Sequence, residues 1–84
     1  MNLTIDQAEG LARVRAMAAN GDLRRLVERA SLSRREIGLV LGVSPVTVHG
    51  WLVGRHRPVG QPALALVELV RRLQAATGDS EPAA

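Results

Sequence analysis

The sequence predicts a single all-α domain, a five-helix bundle. Its 84 residues are too few for two cores that would each fold alone. Five segments carry apolar residues at helical spacing, and they are separated by residues that start or stop helices, chiefly Ser, Pro and Gly. No segment shows the alternation of apolar and polar residues that is typical of a half-buried strand.

The first predicted helix runs from about Ile5 to Ala19. Thr4 and Gln7 have the spacing of a capping box, in which a hydroxyl and a side-chain amide satisfy backbone groups at the helix start. Asn20-Gly21 supplies the stop. The apolar stripe of this helix is weak and is expected to consist of Ile5, Ala8, Leu11, Ala12 and Ala19.

Asp22 is predicted to cap the second helix, which extends to about Ala30. An aspartate at this position accepts hydrogen bonds from the free N–H groups of the first turn. The residues expected to be buried are Leu23, Leu26 and Val27.

Ser33 and Glu36 form a second capping box and open a short third helix, which Gly42 ends. Its expected core residues are Ile37, Val40 and Leu41.

Ser44 is predicted to cap the fourth helix, with Pro45 in the first helical position, where its missing N–H is harmless. This helix extends to about Val53 and ends at Gly54. The residues expected on its inner side are Val48, Trp51 and Leu52. Trp51 is the only aromatic residue, and we interpret it as a core residue rather than a platform for a nucleic-acid base.

The last helix is predicted from Ala63 to about Ala75, after a start at Gly60 to Pro62, and residues 76–84 are predicted to form a flexible tail. More than half of its circumference is apolar, through Leu64, Leu66, Val67, Leu69, Val70 and Leu73. Two explanations are open. Either one monomer buries this helix, or its excess face and part of the first helix form a two-fold homodimer, which we favour.

Composition excludes several functional classes. The chain has no cysteine, which excludes disulfides, a thiol nucleophile and cysteine-ligated zinc. No apolar run approaches the length of a membrane span, and no secretory signal is visible, so a cytoplasmic location is expected. His49 and His56 have no third ligand nearby, so we expect no metal site. We find no cofactor motif, activated nucleophile or small-molecule site, and we expect no enzymatic activity.

The positive charge is concentrated in the middle of the chain. All eleven basic residues are arginine, and residues 22–57 hold seven of them against three acidic residues, while the flanking segments are nearly balanced. This distribution favours a polyanionic partner. The alternative is that arginine merely solvates helix faces in a protein from a genome of high GC content.

The third and fourth predicted helices form a helix-turn-helix unit. The turn that joins them, Gly42-Val43-Ser44, has only three residues, and Gly38 leaves room for the helices to cross closely. In such a unit the second helix can enter the major groove of DNA.

Three segments of this region resemble the phage repressor and Cro type of helix-turn-helix domain, with a fold like that of lambda repressor. They are residues 32–38 (LSRREIG), 42–51 (GVSPVTVHGW) and 54–58 (GRHRP), within a similarity that covers about residues 22–74. Gly38 stands where the family usually has alanine. Leu52 stands where many members have a glutamate paired with an arginine of the leading helix, so apolar packing is expected to replace that ion pair.

The resemblance implies two sets of DNA-contacting residues. Those at positions that read bases are Pro45, Val46 and Gly50, with His49 beside them and Arg55 as the candidate for a guanine. Those at positions that contact phosphates are Ser33, Arg34, Ser44, Thr47, Val53 and the loop residues Arg55 and Arg57. The strong base readers, arginine, asparagine and glutamine, are missing from the groove-facing positions of the fourth helix, so we expect modest specificity or a large share of shape readout.

The function implied by the resemblance is that of a DNA-binding transcriptional regulator similar to Cro or to a small phage or prophage repressor. It would occupy an operator in double-stranded DNA, as a nucleoid-associated protein of a bacterial host. Residues 1–20 form an additional N-terminal helix with no role that can be transferred, and residues 22–75 form the DNA-binding domain. The alternative function is a protein-interaction module, such as an antitoxin or a host-factor-binding partner, that uses the apolar last helix.

Overall fold

The computed structural model describes residues 2–78, which form five α-helices and contain no strand. The predicted all-α fold is therefore confirmed. The helices are α1 (Ile5–Asn20), α2 (Asp22–Ala30), α3 (Arg34–Leu41), α4 (Pro45–Leu52) and α5 (Gly60–Ala76). Of the predicted tail, Ala76 belongs to α5, and residues 79–84 lie outside the described residues.

Both predicted capping boxes are present. At α1 the backbone N–H of Gln7 donates to the Thr4 hydroxyl (3.0 Å), and the backbone N–H of Thr4 donates to the side-chain Oε1 of Gln7 (2.9 Å). At α3 the corresponding distances between Ser33 and Glu36 are 3.0 and 2.8 Å. Each box satisfies two backbone donors that no helical carbonyl can reach, so the helix starts are set locally.

The predicted cap of α2 is wrong. Asp22 is the first helical residue, and its backbone N–H donates to the Asn20 side chain at 2.8 Å. Gly21 separates the two helices in a left-handed conformation (φ 90°) that glycine adopts without steric cost. The Asp22 carboxylate instead pairs with Arg25 at 2.5 Å, and this hydrogen bond lowers the pKa of Asp22.

The last helix begins three residues earlier than predicted, at Gly60. Pro62 therefore lies within the first turn, where the missing N–H removes no helical hydrogen bond. Pro62 therefore indicated that a helix starts in this region, although the first helical residue lies two positions before it.

The core gathers aliphatic side chains from all five helices. α1 packs against α5 and α2 and also contacts α4, while α3 packs chiefly against α4. The buried hydrophobic residues are Leu11, Val14, Ala18, Leu23, Leu26, Val27, Ile37, Leu41, Val48, Trp51, Leu52, Ala63, Leu66, Val67 and Val70. The expected core residues of α2 and α4 are all among them.

The predicted stripe of α1 is largely wrong. Of its five residues only Leu11 is buried, and Ile5 is 87% exposed. The inner face consists of Leu11, Val14 and Ala18, because Gly10 brings this side of α1 against Val67. A Cβ at Gly10 would lie 2.5 Å from a Val67 methyl group, so the missing side chain permits the close approach.

Val40 is also not a core residue. It is 68% exposed, whereas Ile37 and Leu41 are buried. The short α3 meets the rest of the molecule along one narrow seam, and a residue one position before Leu41 points about 100° away from that seam.

The apolar residues of α5 are largely covered within one chain. Leu66, Val67 and Val70 are buried, and Leu64, Leu69 and Leu73 are half-buried against the core. Burial within one monomer, the first of the two explanations, thus accounts for the apolar character of this helix. The homodimer stays a prediction, and it is no longer needed to explain the apolar face of α5. Within residues 2–78, no helix combines the length and the apolar character needed to cross a membrane.

Candidate nucleic-acid interface

The turn between α3 and α4 is compact because two successive N–H groups share one carbonyl. Gly42 and Val43 donate to the Gly38 carbonyl at 2.8 and 3.0 Å. Gly42 adopts a positive φ of 75°, which ends α3 and redirects the chain within three residues.

Gly38 allows α3 to approach this turn closely. It is buried, and a Cβ built on it would lie 2.5 Å from the Val43 carbonyl oxygen. Because the obstructing atom belongs to the backbone, a side chain there would displace the turn. The glycine therefore helps set the position of α4 relative to α3.

The first turn of α4 projects outward. The Ser44 hydroxyl accepts a hydrogen bond from the Thr47 N–H at 3.2 Å and lies 3.1 Å from the Thr47 hydroxyl. Pro45 and Val46 are exposed, Val46 by 76%. The outer end of the helix thus presents a hydroxyl pair and an apolar side chain to the surroundings.

The opposite side of α4 anchors it in the core. Val48, Trp51 and Leu52 are buried, and Trp51 is only 3% exposed. The interpretation of Trp51 as a core residue is confirmed, since a ring so covered has no free face for a base. α4 is therefore held along one side while its first turn remains accessible.

Two of the predicted base readers differ from Pro45 and Val46 in their surroundings. His49 is half-buried, and its Nδ1 is buried without a hydrogen-bond partner among the described residues. Gly50 is buried, and a Cβ built on it would collide with the imidazole of His56. Gly50 thus lies beneath the exposed His56 side chain, and its role as a base reader stays a prediction.

The predicted phosphate-contacting cations flank α4 in sequence and are exposed. Arg34 is the first residue of α3, and Arg55 and Arg57 follow α4. Among residues 2–78 none of these three arginines makes an ion pair; the pairs Asp22–Arg25 and Glu68–Arg72 lie elsewhere. Their charge is consequently not neutralised by a carboxylate of the described chain.

The remaining predicted contacts also lie at helix ends. Ser33 and Ser44 are exposed N-cap residues, and Val53 is the exposed C-cap of α4. Thr47 shares an open cavity of about 450 Å³ with His56 and Arg57. The structure thereby brings the start of α4 and the following loop onto a common surface.

The loop of residues 54–58, here called the basic loop, is tied to α4. Both Arg55 and His56 donate their backbone N–H to the Gly50 carbonyl, at 2.8 and 3.1 Å. Gly54 has a positive φ of 74°, which allows the chain to turn back in this way. Arg55 is thus held close to the end of α4.

Sequence reasoning missed two arginines next to this surface. Arg24 of α2 lines a cavity of about 370 Å³ with Leu52 and Val53, at the C-terminal end of α4. Arg15 of α1 donates from Nε to the Pro58 carbonyl at 2.9 Å. Neither has a signal in the sequence, because each is one of several arginines on an amphipathic helix and its neighbour is distant along the chain.

Among residues 2–78 there is no group of three His, Cys, Asp or Glu side chains that could hold a metal ion. Comparison of the chain with models of protein families, with curated proteins and with solved structures finds no significant match. The candidate interface described above therefore rests on the chain's own geometry and chemistry.

Proposed function

We propose that the protein is a double-stranded-DNA-binding transcriptional regulator that acts by occupying an operator. The observation that supports this proposal is the arrangement of α4, whose core side is buried while its first turn is exposed, and which is flanked along the chain by exposed arginines without carboxylate partners. A short exposed helix on a rigid support is the element that enters a major groove in helix-turn-helix proteins.

The contacts with the DNA backbone follow from elementary electrostatics. The N-terminus of a helix presents free N–H groups and the positive end of the helix dipole to a phosphate. Arg34 and Arg57 neutralise phosphates and release counterions, which gives affinity that falls with salt concentration. The Ser44 and Thr47 hydroxyls lie beside the same helix end.

The contacts with bases are fewer. Pro45 and Val46 offer apolar surface to thymine methyl groups, and Arg55 offers a bidentate donor to guanine. His49 lies one turn further along α4. With so few strong readers, sequence preference depends partly on the shape and deformability of the duplex.

The structure gives less support to a protein-interaction module that docks through α5. The large apolar residues of that helix are buried or half-buried against the chain's own core. The resemblance to phage repressors and Cro adds the mode of regulation to the proposal: the bound protein would exclude polymerase from a promoter.

Selection of bound sequences from a pool of random duplexes tests the proposal. We expect enrichment of a short site, and two half-sites about one DNA turn apart if the protein binds as a homodimer. Lack of duplex binding even at low salt would exclude the proposed function.

A further inference from the structure

Arg15 connects α1 to the basic loop. Its Nε–H···O bond to Pro58 is partly buried and joins residues 43 positions apart. The other side-chain hydrogen bonds described above link residues within three positions or along one helix, so this bond is unusual in spanning the chain. It gives a definite contact to the segment of residues 1–20, for which the sequence suggested no role.

The bond completes the support of the basic loop at both ends. The first end is tied to the Gly50 carbonyl through the N–H groups of Arg55 and His56. At the second end Pro58 is buried, and its carbonyl is the group that Arg15 holds. Without Arg15 the loop would keep the attachment to α4 and lose the side-chain bond at its far end.

The C-terminal turn of α1 also lies against this loop. A Cβ built on Gly54 would have the carbonyl oxygens of Ala18 and Ala19 as its nearest atoms, at 3.6 and 3.7 Å. The carbonyl end of a helix is negative and stabilises nearby cations. α1 therefore provides both a hydrogen-bond donor and a favourable field for the arginines that the loop carries.

The charges around the loop indicate a functional rather than a merely structural role. Arg15, His56 and Arg57 line one open cavity of about 160 Å³ with no carboxylate among its lining residues. Placing two guanidinium groups around one cavity is unfavourable in the free protein, and an approaching phosphate offsets that repulsion.

We propose that α1 supports the DNA interface from behind and that Arg15 is a positioning residue, which holds the basic loop so that Arg55 and Arg57 reach the duplex. This inference rests on the proposed function. It assigns the N-terminal helix a role in binding that does not require α1 itself to touch DNA.

A double-mutant cycle tests whether Arg15 acts through the loop. The variants are Arg15→Met, which keeps the length of the side chain, the loop variant Arg55→Ala/Arg57→Ala, and their combination. Affinity for a mixed-sequence duplex is measured by fluorescence anisotropy at low salt. We expect Arg15→Met to weaken binding about 10-fold in the wild-type background. In the loop-variant background we expect a change below about twofold, since the residues it positions are gone.

Arg13→Met is the matched control. Arg13 is exposed on the same helix. Because it lies two residues before Arg15, its side chain points to another side of α1. Its substitution removes the same charge and should have the same small effect in both backgrounds. If Arg15→Met does not fold, as judged by circular dichroism, the cycle is run with Arg15→Lys, for which we expect a smaller coupling of the same sign.

Three results would overturn the inference. The first is an effect of Arg15 substitution that is equal in both backgrounds, and the second is an effect no larger than that of Arg13→Met. The third is failure of the wild-type protein to bind duplex at all, which removes the proposed function as well. If Arg34→Ala weakens binding while Arg15→Met does not, the proposed function stands and only the role of α1 is lost.

Discussion

Individual arginines differ in whether an acidic side chain already neutralises their charge. Arg25 and Arg72 form ion pairs with acidic residues on their own helices. Arg34, Arg55 and Arg57 are exposed and make no ion pair among residues 2–78. Net charge alone does not reveal this difference, because a paired and an unpaired arginine count equally.

Removal of one unpaired guanidinium should weaken DNA binding in a salt-dependent way. We expect Arg34→Ala and Arg57→Ala each to lower duplex affinity and to reduce the slope of log K against log salt by about 1, because each removes about one phosphate contact. Titration at several salt concentrations measures this slope. Arg71→Ala, at an exposed position near the C-terminal end of α5, is the control and should leave the slope unchanged. Equal slopes for all three variants would contradict the assignment.

Val46 should affect which sequences are bound more than how tightly. Its exposed methyl groups lie on the first turn of α4, and under the proposed function they would contact a thymine methyl. We therefore expect Val46→Ala to alter the sequences recovered by selection, with a loss of about 1 kcal/mol or less at a preferred site. Recovery of an identical set of sequences with Val46→Ala would show that Val46 does not read bases.

At the scale of helices, the pair α3 and α4 depends on one close contact. Gly38 faces the Val43 carbonyl oxygen, and Gly42 turns the chain between the helices. These two glycines do different things: one removes a side chain from a contact, and the other supplies a positive φ.

Gly38→Ala should destabilise the fold despite the better helix propensity of alanine. The gain in propensity is about 1 kcal/mol, whereas overpacking against the backbone costs about 1–3 kcal/mol. We expect a net loss of free energy of unfolding, measured by urea denaturation. Leu39→Ala is the neighbouring control, since Leu39 is 75% exposed and its loss should change stability by no more than about 0.5 kcal/mol. A Gly38→Ala variant as stable as wild type would mean that the turn moves freely.

At the scale of the whole molecule, α5 closes the bundle and α1 links it to the basic loop. α5 contacts α1, α2 and α3, and its large apolar residues are buried or half-buried in this single chain. α1 adds Leu11, Val14 and Ala18 to the same core and contributes Arg15 at the surface.

Substitutions in α5 should separate stability from binding. We expect Leu69→Ala and Leu73→Ala each to cost about 1–2 kcal/mol of unfolding free energy, because both residues are half-buried against the core. Duplex affinity of the folded variants, measured below their melting temperatures, should stay within about twofold of wild type. If these variants keep full stability and lose a protein partner instead, the interaction-module function is favoured.

The sequence by itself determined the starts of α1, α3 and α4 and the turn of the α3–α4 pair. The boxes at Thr4 and Ser33 and the cap at Ser44 join groups within three residues, so the local sequence suffices to specify them. Only the tertiary structure decided which side of α1 is buried, that Gly50 lies beneath His56, and that Arg15 meets Pro58. Each of these depends on a partner from another element or a later loop, and the apolar pattern of an alanine-rich helix is too weak to indicate its direction. Local hydrogen bonds are encoded in neighbouring residues, whereas long-range contacts exist only after the core has assembled.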